Sequence, residues 1–190
     1  MITESEISAA ADRIFPYIRA TPVLHLAAGD VVPGFALTLK LELLQHAGSF
    51  KPRGAFNRIL AAGVIPPSGV IAASGGNHGA AVAYAAQALG LTAEIFVPDQ
   101  TPASKCDRIK GCGARLVRGG ATYFEALAAS RARQADTGAL EVHAYDHADV
   151  LAGQGTVGRE FERAAPDLTH VLVATGGDRK STRLNSSHRH

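Results

Sequence analysis

The sequence predicts an α/β fold built on a parallel, doubly wound sheet. Short apolar runs, each of strand length, occur at residues 70–73, 93–97, 115–117 and 140–143. Segments with helical periodicity separate them at residues 77–89, 103–110 and 123–135. Strands that are joined through helices must run parallel, so the four runs form one sheet with helices on its faces. The composition, 46% hydrophobic and 19% charged over 190 residues, is that of a globular chain with a sizeable core.

Further elements are predicted on both sides of this unit. Apolar residues recur at helical spacing over residues 5–17, which predicts a helix. Leucines alternate with polar residues over residues 37–42, which is the period of a half-buried strand. Near the end of the chain, the pattern predicts a helix at residues 155–164 and a strand at residues 170–174.

Charge and cysteine content exclude several classes of partner. The formal net charge is +2, and residues 1–177 carry 15 basic and 16 acidic side chains. No basic run suggests nucleic acid or an anionic membrane, and no apolar stretch approaches the ~18 residues of a membrane span. Cys106 and Cys112 form neither a metal motif nor a disulfide framework, and the spacing of His143 and His147 argues against a metal pair. The N-terminal sequence shows no signal peptide. We therefore expect a cytoplasmic protein with no metal site.

The segment GSFKPRGA at residues 48–55 contains a lysine in an unusual setting. Ser49 is a plausible N-cap and Pro52 suits a first helical turn, so Lys51 is predicted to lie at the positive end of a helix. Desolvation and the helix dipole both favour the neutral amine, which is the form that makes a Schiff base with an aldehyde. Taken alone, the segment is equally consistent with Lys51 being an exposed lysine near a helix cap, with no catalytic role.

The segment ASGGNHG at residues 73–79 predicts a glycine loop between a strand and a helix. Such a loop gathers backbone N–H groups at a helix N-terminus, where they bind a phosphate or a carboxylate. It matches neither a P-loop nor the dinucleotide motif, which argues against a Rossmann-type oxidoreductase. Two alternatives stay open for the loop: a plain tight turn, or a non-catalytic anion-binding α/β module.

In their order along the chain, these motifs resemble those of the threonine/serine dehydratases, which are pyridoxal-phosphate enzymes of fold type II. The matching features are GSFKPRGA, Ser74 to His78, Pro102 with Lys105, residues 153–156 with Glu160, and residues 175–177. The resemblance implies that residues 1–57 begin a large domain with the lysine motif. Residues 58–144 would form a small α/β domain, and residues 145–177 would return into a large domain that is incomplete.

The resemblance also implies roles for individual residues toward pyridoxal 5′-phosphate. Lys51 would form the internal aldimine and act as the base at Cα, and Phe50 would lie against the pyridine ring. Asn77 would donate a hydrogen bond to the phenolic oxygen, and Gly176 and Gly177 would begin the loop that binds the phosphate. The substrate carboxylate would be held by the loop of Ser74, Gly75, Gly76, Asn77 and His78.

The implied reaction is that of an ammonia-lyase acting on L-threonine or L-serine in a homo-oligomeric enzyme. Threonine would lose its β-hydroxyl group, and the resulting enamine would hydrolyse to 2-oxobutanoate and ammonia. In relatives that racemise serine, a second serine at the position of Gly75 protonates the far face of Cα, so glycine favours elimination. Serine racemase, or another β-eliminating lyase of fold type II, is the alternative, whereas Pro52 departs from the Lys-Asp-Arg of cysteine and threonine synthases.

Residues 178–190 differ in character from the rest of the chain. They show no periodicity, and residues 178–188 match the translation of a widely used sequencing adapter. We interpret this tail as an artefact of sequencing or assembly, with a natural polar tail as the alternative. On this interpretation about half of a family member is missing, and we expect the chain alone to be inactive.

Overall fold

The structure is a computed structural model that describes residues 2–174. Its helices are α1 (Glu4–Ile14), α2 (Lys51–Ala61), α3 (Asn77–Ala88), α4 (Ala103–Lys110), α5 (Tyr123–Thr137) and α6 (Ala148–Ala164). Its strands are β1 (Val23–Leu26), β2 (Leu37–Lys40), β3 (Val70–Ala73), β4 (Ala93–Val97), β5 (Arg115–Arg118) and β6 (Leu140–Glu141). Short 3₁₀ turns lie at Phe15–Tyr17, Glu42–Leu44 and His46–Gly48. No helix within residues 2–174 has the length and apolar character needed to cross a membrane.

The predicted parallel sheet is confirmed, with strand order β5-β4-β3-β6. The chain proceeds outward from β3 through β4 to β5, and then returns to place β6 on the other side of β3. This reversal of direction is the doubly wound arrangement. Ligands of such folds bind beyond the carboxyl ends of the strands on either side of the reversal, which here are β3 and β6.

Both faces of the sheet are covered, which explains why its strands have apolar runs and not alternating patterns. Val70 and Ile95 are fully buried on one face, in a core to which the alanine-rich helix α3 contributes. Ile71 and Phe96 are buried in a smaller cluster on the other face, where α5 contributes Leu127. Neighbouring residues of one strand therefore pack on opposite sides.

Helices α2 and α6 pack closely because glycines lie at their crossing. A Cβ on Gly54 would lie 2.9 Å from the carbonyl oxygen of Val150. A Cβ on Gly153 would lie 2.7 Å from Cβ of Asn57 and would also meet the carbonyl of Arg53. The prediction that the last helix starts at residue 155 was wrong, since α6 begins at Ala148. Gly153 and Gly155 lie inside this helix and not in a loop, where they allow close contact with α2 and α1.

A buried ion network also fixes α2. Arg53 is fully buried and donates two hydrogen bonds to Glu42, of 2.9 Å each, and two to Glu160, of 2.7 and 2.9 Å. Lys40 adds a 2.8 Å ion pair with Glu160. Burial alone would lower the pKa of Arg53, but its hydrogen bonds to the two carboxylates outweigh burial and raise this pKa. The network joins α2 to β2, to the turn that follows it, and to α6.

Two other predictions about the elements need correction. The strand predicted at residues 170–174 is absent, and Leu172 is 92% exposed there. A strand needs a hydrogen-bonded neighbour, and none within residues 2–174 pairs with this segment. Strand β1, which pairs antiparallel with β2, was not predicted because its four residues lack a clear period. The proposed domain boundary at residues 57–58 lies inside α2 and stays a prediction.

Candidate functional site

Lys51 is the first residue of α2, and its side chain is buried at the carboxyl edge of the sheet. The residue is 7% exposed, and its Nζ donates a 3.0 Å hydrogen bond to the carbonyl oxygen of Ala144, three residues beyond β6. Nζ also lies 5.0 Å from the centroid of the Phe50 ring. The sequence-based position of Lys51 at a helix N-terminus is therefore observed, in a buried rather than an exposed setting.

Ser49 does not cap this helix, contrary to the prediction. The N-cap of α2 is Phe50, without a side-chain cap bond, and the Ser49 Oγ is buried with no hydrogen-bond partner among the described residues. Ser49 lies one position too early, in extended backbone, to reach the first N–H groups of the helix. The unpartnered hydroxyl is thus available two residues from Lys51.

The Ser74–His78 loop leaves the end of β3 and enters α3. The Ser74 Oγ accepts a 3.2 Å hydrogen bond from the N–H of Gly76, and Gly76 is the N-cap of α3 without a side-chain cap bond. Thr101 packs so closely against Gly75 that no side chain fits between them. The bare backbone and the positive end of a 12-residue helix make this loop suitable for an anion.

The side chain of His78 lies in the core beneath the loop. Its Nε2 donates a 2.7 Å hydrogen bond to the carbonyl of Val142, while its Nδ1 is buried without a partner among the described residues. Burial, together with the positive charge of Lys51, lowers the pKa of His78 to about 4. The imidazole is therefore neutral at pH 7. Only the backbone of His78 belongs to the helix N-terminus at which an anion would bind.

Asn77 is exposed at the mouth of the loop and is contacted by Arg108, which no sequence motif indicated. Arg108 of α4 donates a 3.2 Å hydrogen bond from Nη1 to the Asn77 Oδ1, and its Nη2 donates to the carbonyl of Ala47. A small pocket of about 30 Å³ is lined by Gly75, Gly76, Asn77, Ala80, Lys105 and Arg108. Because Arg108 occupies the Oδ1, the amide Nδ2 of Asn77 is the group left for an acceptor.

The two motifs meet at the place where the strand order reverses. His78, in the first turn of α3, and Lys51, at the start of α2, bond to the carbonyls of Val142 and Ala144, both in the segment that follows β6. Gln154 of α6 donates to the same Ala144 carbonyl over 3.4 Å. The predicted phosphate residues Gly176 and Gly177 lie outside the described residues.

These groups suit an aldehyde cofactor together with a substrate that carries an anionic group. A buried primary amine, two unpartnered buried polar atoms and a backbone loop at a helix N-terminus provide a nucleophile, hydrogen-bonding groups and an anion cradle. Within residues 2–174, no group of three or more His, Cys, Asp or Glu side chains is arranged to hold a metal. The chemistry of the donor set therefore fits pyridoxal 5′-phosphate.

Comparison with known proteins agrees with this fit. The family described as "Pyridoxal-phosphate dependent enzyme" matches residues 14–178. The L-threonine ammonia-lyase of Geobacter sulfurreducens is 38% identical over 178 residues, which are 93% of this chain and 44% of that protein. The serine racemase of Oryza sativa subsp. indica is 37% identical over 172 residues, covering 90% of this chain and 51% of that protein.

The fold matches those of solved structures. The structure of maize serine racemase superimposes with a TM-score of 0.82 at 36% sequence identity, over 87% of this chain and 51% of that one. The architecture is therefore that of the fold type II pyridoxal-phosphate enzymes, as the sequence predicted. The chain spans about half the length of the curated relatives that it matches.

Proposed function

Because this chain belongs to the family of pyridoxal-phosphate dependent enzymes, we propose that it carries the lysine part of a dehydratase acting on L-threonine, L-serine or both. The cofactor of the family is pyridoxal 5′-phosphate. The products would be a 2-oxo acid and ammonia, as in an ammonia-lyase. The proposal is supported by relatives named for threonine ammonia-lyase activity and by the site itself.

The observation that carries the proposal is the buried amine of Lys51 at the sheet reversal. Lys51 is only 7% exposed, and burial of its charged amine costs free energy. A lysine at this buried position therefore needs a structural or a chemical reason. Its amine donates to a backbone carbonyl, and its charge acts on His78, the last residue of the glycine loop. This combination is what a lysine needs to bind an aldehyde cofactor and then to move a proton at Cα of an amino acid.

The remaining roles are those that the family resemblance implies. When bound, the cofactor supplies an electron sink that stabilises negative charge at Cα. Phe50 and Asn77 would hold the ring system, with the Nδ2 of Asn77 donating to an oxygen. The N-terminus of α3 would bind the substrate carboxylate, and Gly176 with Gly177 would contribute to the phosphate site. Lys51 would remove the Cα proton.

Gly75 is the observation that supports elimination over racemisation. A racemase needs a proton donor on the face of Cα opposite the lysine, and glycine has none. A relative named as an L-threonine ammonia-lyase and one named as a serine racemase match this chain at nearly equal identity. Overall similarity therefore does not distinguish dehydration from racemisation. We therefore favour dehydration over racemisation, with serine racemase as the second candidate.

The test combines covalent labelling with product analysis. The protein is incubated with pyridoxal 5′-phosphate and reduced with borohydride, and the modified lysine is located by peptide mass spectrometry. We expect modification at Lys51, lost in Lys51→Ala and retained in the exposed control Lys110→Ala. Any 2-oxo acid that the chain forms slowly from threonine should be lost and retained in the same two variants. Labelling spread evenly over the exposed lysines would instead favour the non-catalytic anion-binding module.

Three further properties of the whole protein are part of the proposal. We infer an amino-acid substrate, a homo-oligomeric enzyme and a cytoplasmic location, the last supported by the free thiols Cys106 and Cys112. We expect slow turnover or none from the 190 residues alone, because Val171, Leu172 and Val173 expose apolar surface that a complete large domain would cover. Turnover comparable to that of a full-length relative would contradict this expectation.

A further inference from the structure

Gln154 and Lys51 donate to the same carbonyl oxygen from two different helices. The Lys51 Nζ lies 3.0 Å from the oxygen of Ala144, and the Gln154 Nε2 lies 3.4 Å from it. A carbonyl oxygen has two lone pairs and can accept both bonds. The shorter bond belongs to the lysine, so Gln154 is the weaker, second donor in this arrangement.

The position of Gln154 is fixed by the packing of its side chain. A Cβ on Gly54 would lie 3.1 Å from Cγ of Gln154, so the glutamine stem lies directly against the backbone of α2. Gly153, the preceding residue, contacts the same helix, and Arg53 ties α2 to α6 through Glu160. Both donors are therefore held over the carbonyl by a rigid helix pair.

A reactive lysine must leave such a carbonyl. When the Lys51 amine turns toward a ligand, the half-buried carbonyl of Ala144 loses its closest hydrogen-bond donor. Because an unsatisfied polar group costs free energy, this loss opposes the movement of the lysine. We propose that Gln154 is a positioning residue for Lys51, whose amide keeps the Ala144 carbonyl hydrogen-bonded when the lysine amine moves away. This inference rests on the proposed function of Lys51 as the cofactor lysine.

The first test needs no cofactor and uses a double-mutant cycle on the full chain. Unfolding in urea is measured for Lys51→Met, Gln154→Met and the double variant. Either donor alone satisfies the carbonyl, so we expect the folding equilibrium constant of the double variant to fall about 10-fold below the value expected from adding the single effects. Other contacts of Lys51 cancel in the cycle. Additive effects would overturn the proposal.

A matched cycle provides the control. Gln87 is an exposed glutamine in α3, and Gln87→Met combined with Lys51→Met is expected to be additive. Coupling of the same size in this second cycle would also overturn the proposal, because it would show a general effect of the substitutions and not a shared carbonyl.

The second test follows the reaction of Lys51 itself, with pyridoxal 5′-phosphate as the probe. The amine and the aldehyde condense with loss of water, and hydride from borohydride then reduces the new C=N bond to a stable secondary amine. Peptide mass spectrometry gives the yield at Lys51 relative to the exposed Lys110. We expect this ratio to fall about 10-fold in Gln154→Met and to be unchanged in Gln87→Met.

The outcomes separate the two proposals. Preferential labelling of Lys51 that is unchanged in Gln154→Met would overturn the role of Gln154 and leave the proposed function standing. Labelling of Lys51 no greater than that of Lys110 in the unsubstituted chain would count against the proposed function, while the double-mutant cycle would still decide whether the two donors share the carbonyl.

Discussion

A side chain on Gly75 would collide with Thr101. A Cβ at position 75 would lie 2.7 Å from Cγ2 of Thr101 and 2.9 Å from its Oγ1. Thr101 is itself held in place, since its N–H donates to the carbonyl of Pro98 over 3.0 Å. Its carbonyl accepts a 3.0 Å bond from Arg118 and a 3.7 Å bond from the thiol of Cys106. The loop that follows β4 therefore keeps the backbone of Gly75 bare.

We predict that Gly75→Ala destabilises the chain and that Thr101→Ala relieves the effect. The added methyl group has no space, and overpacking of this kind costs about 1–3 kcal/mol. Thr101→Ala removes both atoms in collision, so the double variant should recover most of that loss. Urea unfolding measures the change. Gly76→Ala is the matched control, because its nearest contact, the Ser74 Oγ, would lie at an ordinary 3.8 Å.

The same relationship bears on the distinction between elimination and racemisation. We predict that Gly75→Ser raises racemisation of serine only when combined with Thr101→Ala, since the single variant forces the loop to shift. A correctly placed general acid contributes about 100-fold or more in rate. The measurement is the ratio of D-serine to 2-oxo acid formed, with Thr101→Ala alone as control. An unchanged ratio in the double variant would count against the role assigned to position 75.

The sheet could be predicted from the sequence because its information is local. Each buried strand is a short apolar run, and each intervening helix has its own period, so β3 to β6 and α3 to α5 were all placed within a few residues. The parallel direction then followed from the connections. Residues 170–174 misled the same reasoning, because an apolar run predicts a strand whether or not a neighbour is available to pair with it.

Only those parts of the site that lie in local sequence motifs could be predicted. Lys51 and the Ser74–His78 loop have recognisable local sequences, but their surroundings depend on residues far along the chain. Arg108 bonds to Asn77 across 31 positions, and nothing in the sequence of α4 indicates this contact. Gln154 lies in one of the matching motifs, residues 153–156, but the carbonyl that it shares with Lys51 could only be found from the structure.

The close crossing of α2 and α6 yields a further prediction. Gly153→Ala should destabilise the chain by about 1–3 kcal/mol, because the methyl group would meet Cβ of Asn57 at 2.7 Å and the rigid backbone of Arg53. Gly158→Ala, on the same helix with nothing within 4 Å, should stabilise it by up to about 1 kcal/mol through helix propensity. Urea unfolding of both variants tests the prediction. Equal effects of the two alanines would contradict it.

The neutral His78 makes stability depend on pH in a defined window. Its pKa is about 4 in the folded chain, against an ordinary value of 6.5, so between these values the unfolded chain binds a proton that the folded chain does not. Stability is therefore complete above pH 6.5 and falls as the pH drops toward 4. From pH 7 to pH 5, His78 alone should account for a loss of about 2 kcal/mol.

Comparison with His78→Gln isolates this contribution. The pKa values of His46 and His147 are also lowered by burial and act in the same direction, so the wild-type chain is not a sufficient measurement. The glutamine amide can still donate to the carbonyl of Val142 but does not titrate in this range. We expect urea unfolding of the His78→Gln variant at pH 7 and pH 5 to show a drop in stability about 2 kcal/mol smaller than that of the wild-type chain. The exposed His25→Gln is the matched control and should retain the wild-type drop, whereas equal drops in wild type and His78→Gln would show that His78 is not held neutral by burial.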